Sequence, residues 1–497
     1  MFFRSSSMPA YSFVSWKTWL RLCLVIGTLL FAGGYYSWYK LFREVPQVFA
    51  TEEEAFKYGS IGGEDSQGIP YWIWVVLPRI FPEYLPGSES SPKPGGYAAL
   101  GVAWEEGHET PIGFSIKTIG IPRIAINCAL CHTGTYRLRP EDIPNAVPTA
   151  PAQKFDAQAY QRFLFNCASD PKFNADTILQ QISYSIKLSC DDKLLYRYLL
   201  IPATKKALLQ QKKQYSWMET RPDWLCGRID PFNPVKFSIL NIDPKGDSTI
   251  GNSDMEPLWN LGMHENFALH WDGLNTSLQE VVLSGAIGDG ATKKSLPVKR
   301  LKVLETWLKT VKPPRYPYDE AINSELANKG EAIFKRLCFD CHGFGGKKTG
   351  TVISLGEIGT DPNRLQMWTQ QAVDNYNKFA DGYEWSFKAF QKTDGYVSVA
   401  LDGIWLRAPY LHNGSVPTLE DLLKPASDRP KTFYRGYDVY SRDQMGFIHQ
   451  GDQAKKHGVL VDTSVPGNSN SGHEGEIYGT NLSPEEKQAL VEYLKKL

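Results

Sequence analysis

The pentapeptide C-x-x-C-H occurs twice in this chain and constrains its fold more than any other feature. The copies are CALCH at 128–132 and CFDCH at 338–342. This motif is typical of covalent haem attachment, in which the two thiols bond to the haem vinyl groups and the histidine binds the iron. A structural zinc site would need four ligands, and neither copy has a further Cys or His at finger spacing. We therefore predict two covalently bound c-type haems, haem 1 and haem 2. The attachment residues are Cys128, Cys131, Cys338 and Cys341, and the proximal ligands are His132 and His342.

The rest of the composition limits the class of protein. A chain of 497 residues can form two or three domains and enclose two haems. Its formal net charge is zero, so nothing favours nucleic acid as a partner. Four cysteines remain after haem attachment. Cys23 lies in an apolar run, and for Cys167, Cys190 and Cys226 one disulfide and three buried free thiols both fit the sequence.

An uncharged segment near the N-terminus predicts one membrane-spanning helix. Residues 22–39 read LCLVIGTLLFAGGYYSWY, with aromatic residues at both ends. A cleaved signal peptide is the alternative, but no convincing small-x-small site follows Ala32. Basic residues ahead of the run, including Lys17 and Arg21, would keep the N-terminus inside. We expect a single-pass anchor in a bacterial cytoplasmic membrane, with the haem domains on the periplasmic or an equivalent oxidising side.

The remaining pattern is mostly helical. Residues 155–215 carry apolar side chains at i, i+3 and i+4, and 71–77 read as a buried strand or helix turn. A helix at 301–311 ends before two prolines, which favours a domain boundary. The helix Glu325–Leu337 leads into the second motif, and the last helix begins with a capping box at Ser483 and Glu486. In small c-type cytochromes the first and last helices pack together.

These features predict a mainly α fold with long loops. We expect an N-terminal transmembrane helix at 1–45 and two cytochrome c-like haem domains, haem 1 at 46–312 and haem 2 at 313–497. A sixth ligand of haem 2 is expected on a loop before the last helix. His473 lies ten residues ahead of Ser483. His412 is the competitor, although the Asn-Gly turn after it favours hydrogen bonding within a loop.

Three segments together resemble the bacterial di-haem cytochrome c peroxidase superfamily, over roughly residues 95–497. They are PYLHNGSVPTLEDLL, the GHE at 472–474 and LHWDGLNTSLQE. They are most similar to the rubber oxygenase branch, which includes di-haem fatty-acid dioxygenases. The resemblance implies that Trp271, in the W-D-G segment, links the two haems electronically. It also implies that the segment before the last helix supplies the second axial ligand of haem 2, a position that matches His473.

Two positions depart from the peroxidases of this superfamily. Those enzymes place a Gln ten residues after the tryptophan and a Glu about ten further on, whereas this chain has Val281 and the stretch 290–292. Cleavage of peroxide needs a positioned acid or base. Asp289 is nearby and could substitute for this pair, but an Asp between two glycines is more often a turn residue. The oxygenase branch also lacks the pair and has an apolar distal pocket, which the run from Val281 to Ile287 resembles.

The other side of haem 1 stays open in the sequence. His270 would be a distal hydrogen-bond donor or a sixth ligand, yet adjacent side chains such as His270 and Trp271 point apart. Met255 or Met263 would cap the iron and leave a plain electron carrier. Core packing is the alternative for each of these residues.

We expect a membrane-anchored di-haem oxidoreductase. Haem 2 would transfer electrons, and haem 1 would activate O₂ to oxidise an apolar, unsaturated, lipid-like substrate. Peroxide reduction and non-catalytic electron transfer are the alternatives. The expected partners are small electron-transfer proteins, O₂ or peroxide, an apolar small molecule and the membrane, but no nucleic acid. Whether a calcium ion lies between the domains is left open.

Overall fold

The computed structural model describes residues 15–87 and 96–497, in which helices dominate. The helices in order are α1 Trp16–Leu41, α2 Glu52–Tyr58, α3 Tyr71–Ile80, α4 Ala157–Ser169, α5 Ala175–Ser183, α6 Cys190–Leu195, α7 Ile201–Gln214, α8 Leu278–Gly288, α9 Val298–Leu308, α10 Ser324–Leu337, α11 Phe339–His342, α12 Leu355–Ile358, α13 Asn363–Met367, α14 Gln370–Asn377, α15 Leu419–Leu422, α16 Gly451–His457 and α17 Pro484–Leu494. The strands are β1 Glu44–Val45, β2 Ile69–Pro70, β3 Phe114–Ile119, β4 Ile121–Ile126, β5 Thr133–Tyr136, β6 Asn145–Pro148, β7 Arg228–Ile229, β8 Ser253–Asp254, β9 Val352–Ser354, β10 Gly395–Val397, β11 Thr432–Arg435, β12 Tyr440–Ser441, β13 Gly446–Phe447 and β14 Val459–Asp462.

The N-terminal helix α1 is longer than the apolar run that predicted it. Ser15 caps it by accepting a hydrogen bond from the Thr18 amide, and every residue up to Tyr39 is exposed. The helix has 26 residues, and an 18-residue window within it has a mean hydropathy of 1.4. Length and composition fit a membrane span and a signal sequence alike. The helix ends against the body of the protein, where Lys40 pairs with Asp191 at 3.0 Å and with Asp192 at 2.7 Å.

The N-terminal half is built on a sheet with helices packed against it. The strand order is β1-β3-β4-β2, and β3 and β4 form an antiparallel hairpin that pairs Phe114 with Ile126. The segment 71–77 is helical and belongs to the buried α3, where Trp74 stacks on Tyr97 at 3.9 Å. Helices α4, α5 and α7 confirm the helical prediction for 155–215, and α4 packs against α7.

The C-terminal half has the expected pairing of its first and last helices. Helices α10 and α17 pack so closely that a Cβ added at Gly330 would lie 1.9 Å from the Ala489 carbonyl oxygen. Only a glycine permits this approach of two backbones. The capping box also forms, since Ser483 accepts from the Glu486 amide and the Glu486 carboxylate accepts from the Ser483 amide. Both predictions are confirmed.

The hydrophobic core crosses the expected boundary at 312. One cluster of buried side chains joins Leu283 and Leu301 to Trp368 and Tyr376. The division of the chain into domains at that position stays a prediction. Among the cysteines, Cys167 is buried in α4, Cys190 is exposed at the start of α6, and the Cys226 thiol donates to the Arg435 carbonyl at 3.4 Å. No disulfide joins these three cysteines, so the disulfide alternative is wrong, and the alternative of three buried free thiols holds for Cys167 and Cys226 but not for the exposed Cys190.

Candidate haem sites

The first motif forms a short turn that leaves the imidazole of His132 facing a cavity. Asn127 caps the turn by accepting a hydrogen bond from the Ala129 amide at 3.0 Å. The Nδ1 of His132 lies 2.6 Å from the Glu256 carbonyl oxygen and donates to it. Burial lowers the pKa of His132 to about 4, so the ring is neutral. A neutral imidazole with its Nδ1–H on a carbonyl offers Nε2 to a metal.

The second motif orients its histidine in the same way and adds a second imidazole. The Nδ1 of His342 donates to the Val399 carbonyl at 2.7 Å, and burial lowers the pKa of His342. The centre of the His473 ring lies 6.1 Å from the centre of the His342 ring. A metal–imidazole bond is about 2 Å long and the ring centre lies about 1 Å beyond the nitrogen, so two axial imidazoles place their centres about 6 Å apart. The spacing of these two rings fits an iron between them.

The position of His473 is fixed by its backbone. Its φ of 50° lies in the left-handed region, which a non-glycine residue adopts only when its surroundings hold it there. Its amide donates to the Ile358 carbonyl at 2.8 Å, and the Arg429 guanidinium donates to its carbonyl at 3.1 Å. Burial, with the charges of His342 and Arg429, lowers the pKa of His473 to about 3.

His412 has different surroundings. Its ring stacks on Tyr396 with the ring centres 3.9 Å apart, and its carbonyl accepts from the Asp254 amide. Its Nε2 is buried without a hydrogen-bond partner. The ring therefore packs against an aromatic side chain instead of facing His342 at the spacing of a ligand pair. The assignment of the sixth ligand to His473 stays a prediction that this geometry favours.

A cavity of about 420 Å³ opens beside the first motif. One of its walls is a face of α8 that carries Leu278, Val281 and Val282, with Gly285 and Gly288. A Cβ added at either glycine would meet nothing within 4 Å, so the helix presents bare backbone to the cavity. The remaining walls are rich in aromatic rings: Phe155, Phe165, Tyr215, Trp224 and Phe232. Flat apolar walls, two thiols and a neutral imidazole are the surroundings that a covalently bound haem requires.

Asp289 ends α8 and places a carboxyl group in this cavity. Burial raises its pKa to about 7. Burial is the main cause that raises the pKa of the Cys128 and Cys131 thiols, and the charge of Asp289 raises it further. The carboxyl group of Asp289 therefore lies near the two thiols of the motif. The sequence predicted a turn residue here. It is a helix C-cap whose side chain lines the cavity, which the flanking glycines alone did not indicate.

Trp271 lies between the backbone segments that hold the two proximal histidines. Its indole Nε1 donates to the Asp254 carbonyl at 2.8 Å, two residues before the carbonyl that holds His132. Its own carbonyl accepts from the Val397 amide at 2.8 Å, two residues before the carbonyl that holds His342. Trp271 thus makes one hydrogen bond to each of the two backbone segments that hold the proximal histidines. Its role in electron transfer stays a prediction.

His270 lies on the cavity wall close to Glu256. Its φ of 65° lies outside the extended region, so the expectation that the side chains of His270 and Trp271 point apart, as in a strand, does not apply here. Its Nδ1 lies 3.8 Å from the Glu256 carboxylate, and its Nε2 is buried without a partner. Burial raises the pKa of Glu256 to about 7. Met255 is buried and lines the cavity, whereas Met263 is 54% exposed and is not one of the wall residues.

Two arginines on the wall were not found from the sequence. Arg364 is 2% exposed and donates to Asp272 at 3.1 Å and to the Ser253 hydroxyl at 2.7 Å. Arg407 donates to Asp402 at 2.8 Å. Each guanidinium keeps a buried Nε without a partner, which suits the carboxylates of a haem. They are distant in sequence from the first motif, so no spacing pattern indicated them.

Comparison with known proteins identifies one part of the chain. A family model described as RoxA-like, cytochrome c-like matches residues 395–434, which contain β10, Val399 and the PYLHNGS segment. Residues 395–434 are thus similar to a RoxA-like cytochrome c domain. The match supports a RoxA-like di-haem cytochrome family without identifying a branch of it. It implies a c-type haem and a role in oxidoreduction or electron transfer.

Two proteins of Sinorhizobium fredii are similar to parts of the chain. The uncharacterized protein y4iJ is 31% identical over 250 residues, which span 38% of this chain and 41% of that protein. The uncharacterized protein y4iM is 28% identical over 290 residues, which span 49% of this chain and 64% of that protein. The chain thus spans less than two thirds of the length of either relative.

Within residues 15–87 and 96–497, no group of three or more His, Cys, Asp or Glu side chains forms a metal site.

Proposed function

We propose that this chain is a membrane-anchored oxidoreductase with two covalent c-type haems. The site at His342 and His473 would transfer electrons, and the cavity at His132 would oxidise an apolar, unsaturated, lipid-like substrate with O₂. The observation that carries this proposal is the asymmetry of the two sites. His342 has a second imidazole at the spacing of an axial pair, whereas one wall of the cavity beside His132 is formed by the aliphatic side chains and bare backbone of α8, and the His270 imidazole that also lines it keeps its Nε2 without a hydrogen-bond partner.

The haem of the first site would supply the redox and O₂ chemistry. The residues of the chain would bind the substrate and exclude water. Val281, Val282 and Leu278 offer only apolar contact, and burial of apolar surface stabilises a bound hydrocarbon by about 25 cal/mol per Å². Trp271 would connect this cavity to the electron-transfer site. Small electron-transfer proteins on the periplasmic side would be the redox partners.

Peroxide reduction is the second candidate, and Asp289 is the observation that favours it. A carboxyl whose pKa lies at about 7 can both give and take a proton at neutral pH, which is the property of an efficient general acid or base. It could therefore replace the acid/base pair that Val281 and the stretch 290–292 lack.

The two candidates are separated by activity assays on the purified full-length protein. With an unsaturated lipid we expect lipid-dependent O₂ uptake, and with peroxide and a reduced cytochrome we expect slow turnover. Asp289→Asn should leave O₂ uptake unchanged, and Asp374→Asn, an exposed residue of α14, is the matched control. Rapid peroxide turnover that falls about 10²–10⁴-fold in Asp289→Asn, without lipid-dependent O₂ uptake, would assign the protein to the peroxidases.

Trp271→Phe tests the connection between the sites. It removes the indole N–H that binds the Asp254 carbonyl and keeps an aromatic ring in place. Either chemistry should become slower while both haems stay bound, because electrons would then pass less readily between the sites. Unchanged rates would show that Trp271 only packs. Absence of both activities, with a haem 1 that does not bind carbon monoxide, would leave an electron carrier.

A further inference from the structure

The segment from Tyr184 to Gln214 exposes an unusual number of apolar side chains. It contains α6, the turn that follows it and α7, and we call its outer face the α6–α7 surface. Leu194 is 58% exposed and Tyr198 is 73% exposed. They lie four residues apart and so share one side of the helix with the exposed Pro202. Further exposed apolar side chains of this surface are Tyr184, Leu199 and Leu209.

The same segment is strongly basic. It contains six lysines and one arginine but only two carboxylates. Both carboxylates, those of Asp191 and Asp192, pair with the single cation of Lys40 of α1, and Asp191 also accepts a hydrogen bond from Tyr36. The segment therefore keeps an excess of positive charge. Four of the lysines are exposed and pair with no carboxylate in the described part of the chain: Lys187, Lys193, Lys206 and Lys213. Apolar and aromatic side chains interleaved with lysines are typical of a helix that lies in a membrane interface.

The place of this surface in the fold identifies its partner. The contacts of Asp191 and Asp192 with Lys40 put the start of α6 against the end of α1, the one helix long and apolar enough to cross a membrane in the described residues. A surface beside the point where such a helix enters the body faces the same bilayer. We propose that the α6–α7 surface docks on a lipid bilayer that contains anionic lipids. Leu194, Tyr198 and Leu199 would enter the interface, and the lysines would reach the phosphates.

The inner face of α7 gives this docking a consequence. Leu208, Gln211 and Tyr215 of α7 and its end line the cavity beside His132. One helix therefore separates the docked surface from that cavity. A hydrocarbon dissolved in the bilayer would lie next to the cavity without crossing water. This consequence rests on the proposed function, whereas the docking itself does not.

Spin labels measure the docking directly. In a full-length background with Cys23→Ser and Cys190→Ser, single cysteines are introduced as Leu194→Cys and Tyr198→Cys, and labelled. The matched controls are Ile143→Cys and Ile477→Cys, at apolar side chains that are 87% and 61% exposed elsewhere on the protein. In nanodiscs with anionic lipid, the labels at 194 and 198 should become several-fold less accessible to a water-soluble nickel complex and more accessible to O₂. The control labels should stay accessible to nickel.

Four other outcomes of these experiments would bear on the docking proposal. Labels at 194 and 198 that remain as accessible to nickel as the controls overturn it. Protection already present without lipid assigns the surface to a second copy of the chain. If α1 is removed as a signal sequence, anionic vesicles must still protect both labels, or the proposal is wrong. Loss of lipid-dependent O₂ uptake with intact protection would contradict the proposed function alone.

Discussion

The carboxylate of Asp438 ties the strand after the first haem motif to the C-terminal half of the protein. It is fully buried and accepts hydrogen bonds from the Thr135 hydroxyl at 2.9 Å, from Arg137 at 2.6 and 2.8 Å, and from Lys154 at 3.0 Å. The backbone of Arg137 also bonds to residues 438 and 440. Asp438→Asn would keep the shape of the side chain and remove its charge, which leaves two half-buried cations, Arg137 and Lys154, without this counterion.

The expected loss follows from these contacts. Removing one partner of a buried ion pair typically costs about 3–5 kcal/mol. With a sensitivity of about 1 °C per kcal/mol for a chain of 497 residues, the thermal midpoint of unfolding should fall by about 3–5 °C. Asp374→Asn is the matched control, since this exposed side chain accepts only from Gln370 at 2.9 Å, and its effect should stay within about 0.5 kcal/mol.

The pH dependence gives the sharper test. Burial alone would raise the pKa of Asp438, but the charges of Lys154 and Arg137 lower it below 3.8. A carboxylate with a lowered pKa stabilises the fold above the unfolded-state value and loses this contribution as pH falls through the folded value. The difference between wild type and Asp438→Asn, followed by circular dichroism, should be constant from pH 5 to 8 and shrink below about pH 4. A small difference, or one that does not change with pH, would refute the ion-pair reasoning.

Three further predictions test the haem sites and the fold. His473→Ala should convert one of two low-spin haems to high-spin in the absorption and EPR spectra, while His412→Ala should not, and the reverse would move the ligand to His412. Cys338→Ala, with its partner thiol also removed, should leave one c-type haem per chain in a pyridine haemochrome assay, and a haem that extracts into acidified solvent would disprove covalent attachment. Gly330→Ala should destabilise the protein by about 1–3 kcal/mol in urea because its Cβ meets α17, whereas Gly356→Ala, with open space around it, should change the free energy of unfolding by less than about 1 kcal/mol.

The sequence predicted what depends on local patterns and missed what depends on the fold. The haem motifs, the helices α10 and α17 and the capping box follow from spacing within a few residues. The carbonyls of Glu256 and Val399 hold the proximal histidines, yet a backbone acceptor leaves no mark in a sequence. Arg364 and Arg407 reach the cavity only through tertiary packing, so their types and neighbours did not indicate a site, whereas Asp289 was noted near the missing acid/base pair but favoured as a turn residue.

Both proximal histidines end on peptide carbonyls instead of carboxylates, and this affects how the two sites can evolve. A peptide carbonyl carries no side chain to substitute and no proton to exchange near neutral pH, so the electron-donating strength of each imidazole is fixed by the course of the main chain. With a haem bound, mutation would therefore alter the reduction potential of either site mainly through the other residues around it. Those residues already differ, since the His473 imidazole lies near His342 whereas aliphatic side chains of α8 line the cavity beside His132. A single inherited framework can thus give rise to both an electron carrier and a reactive centre.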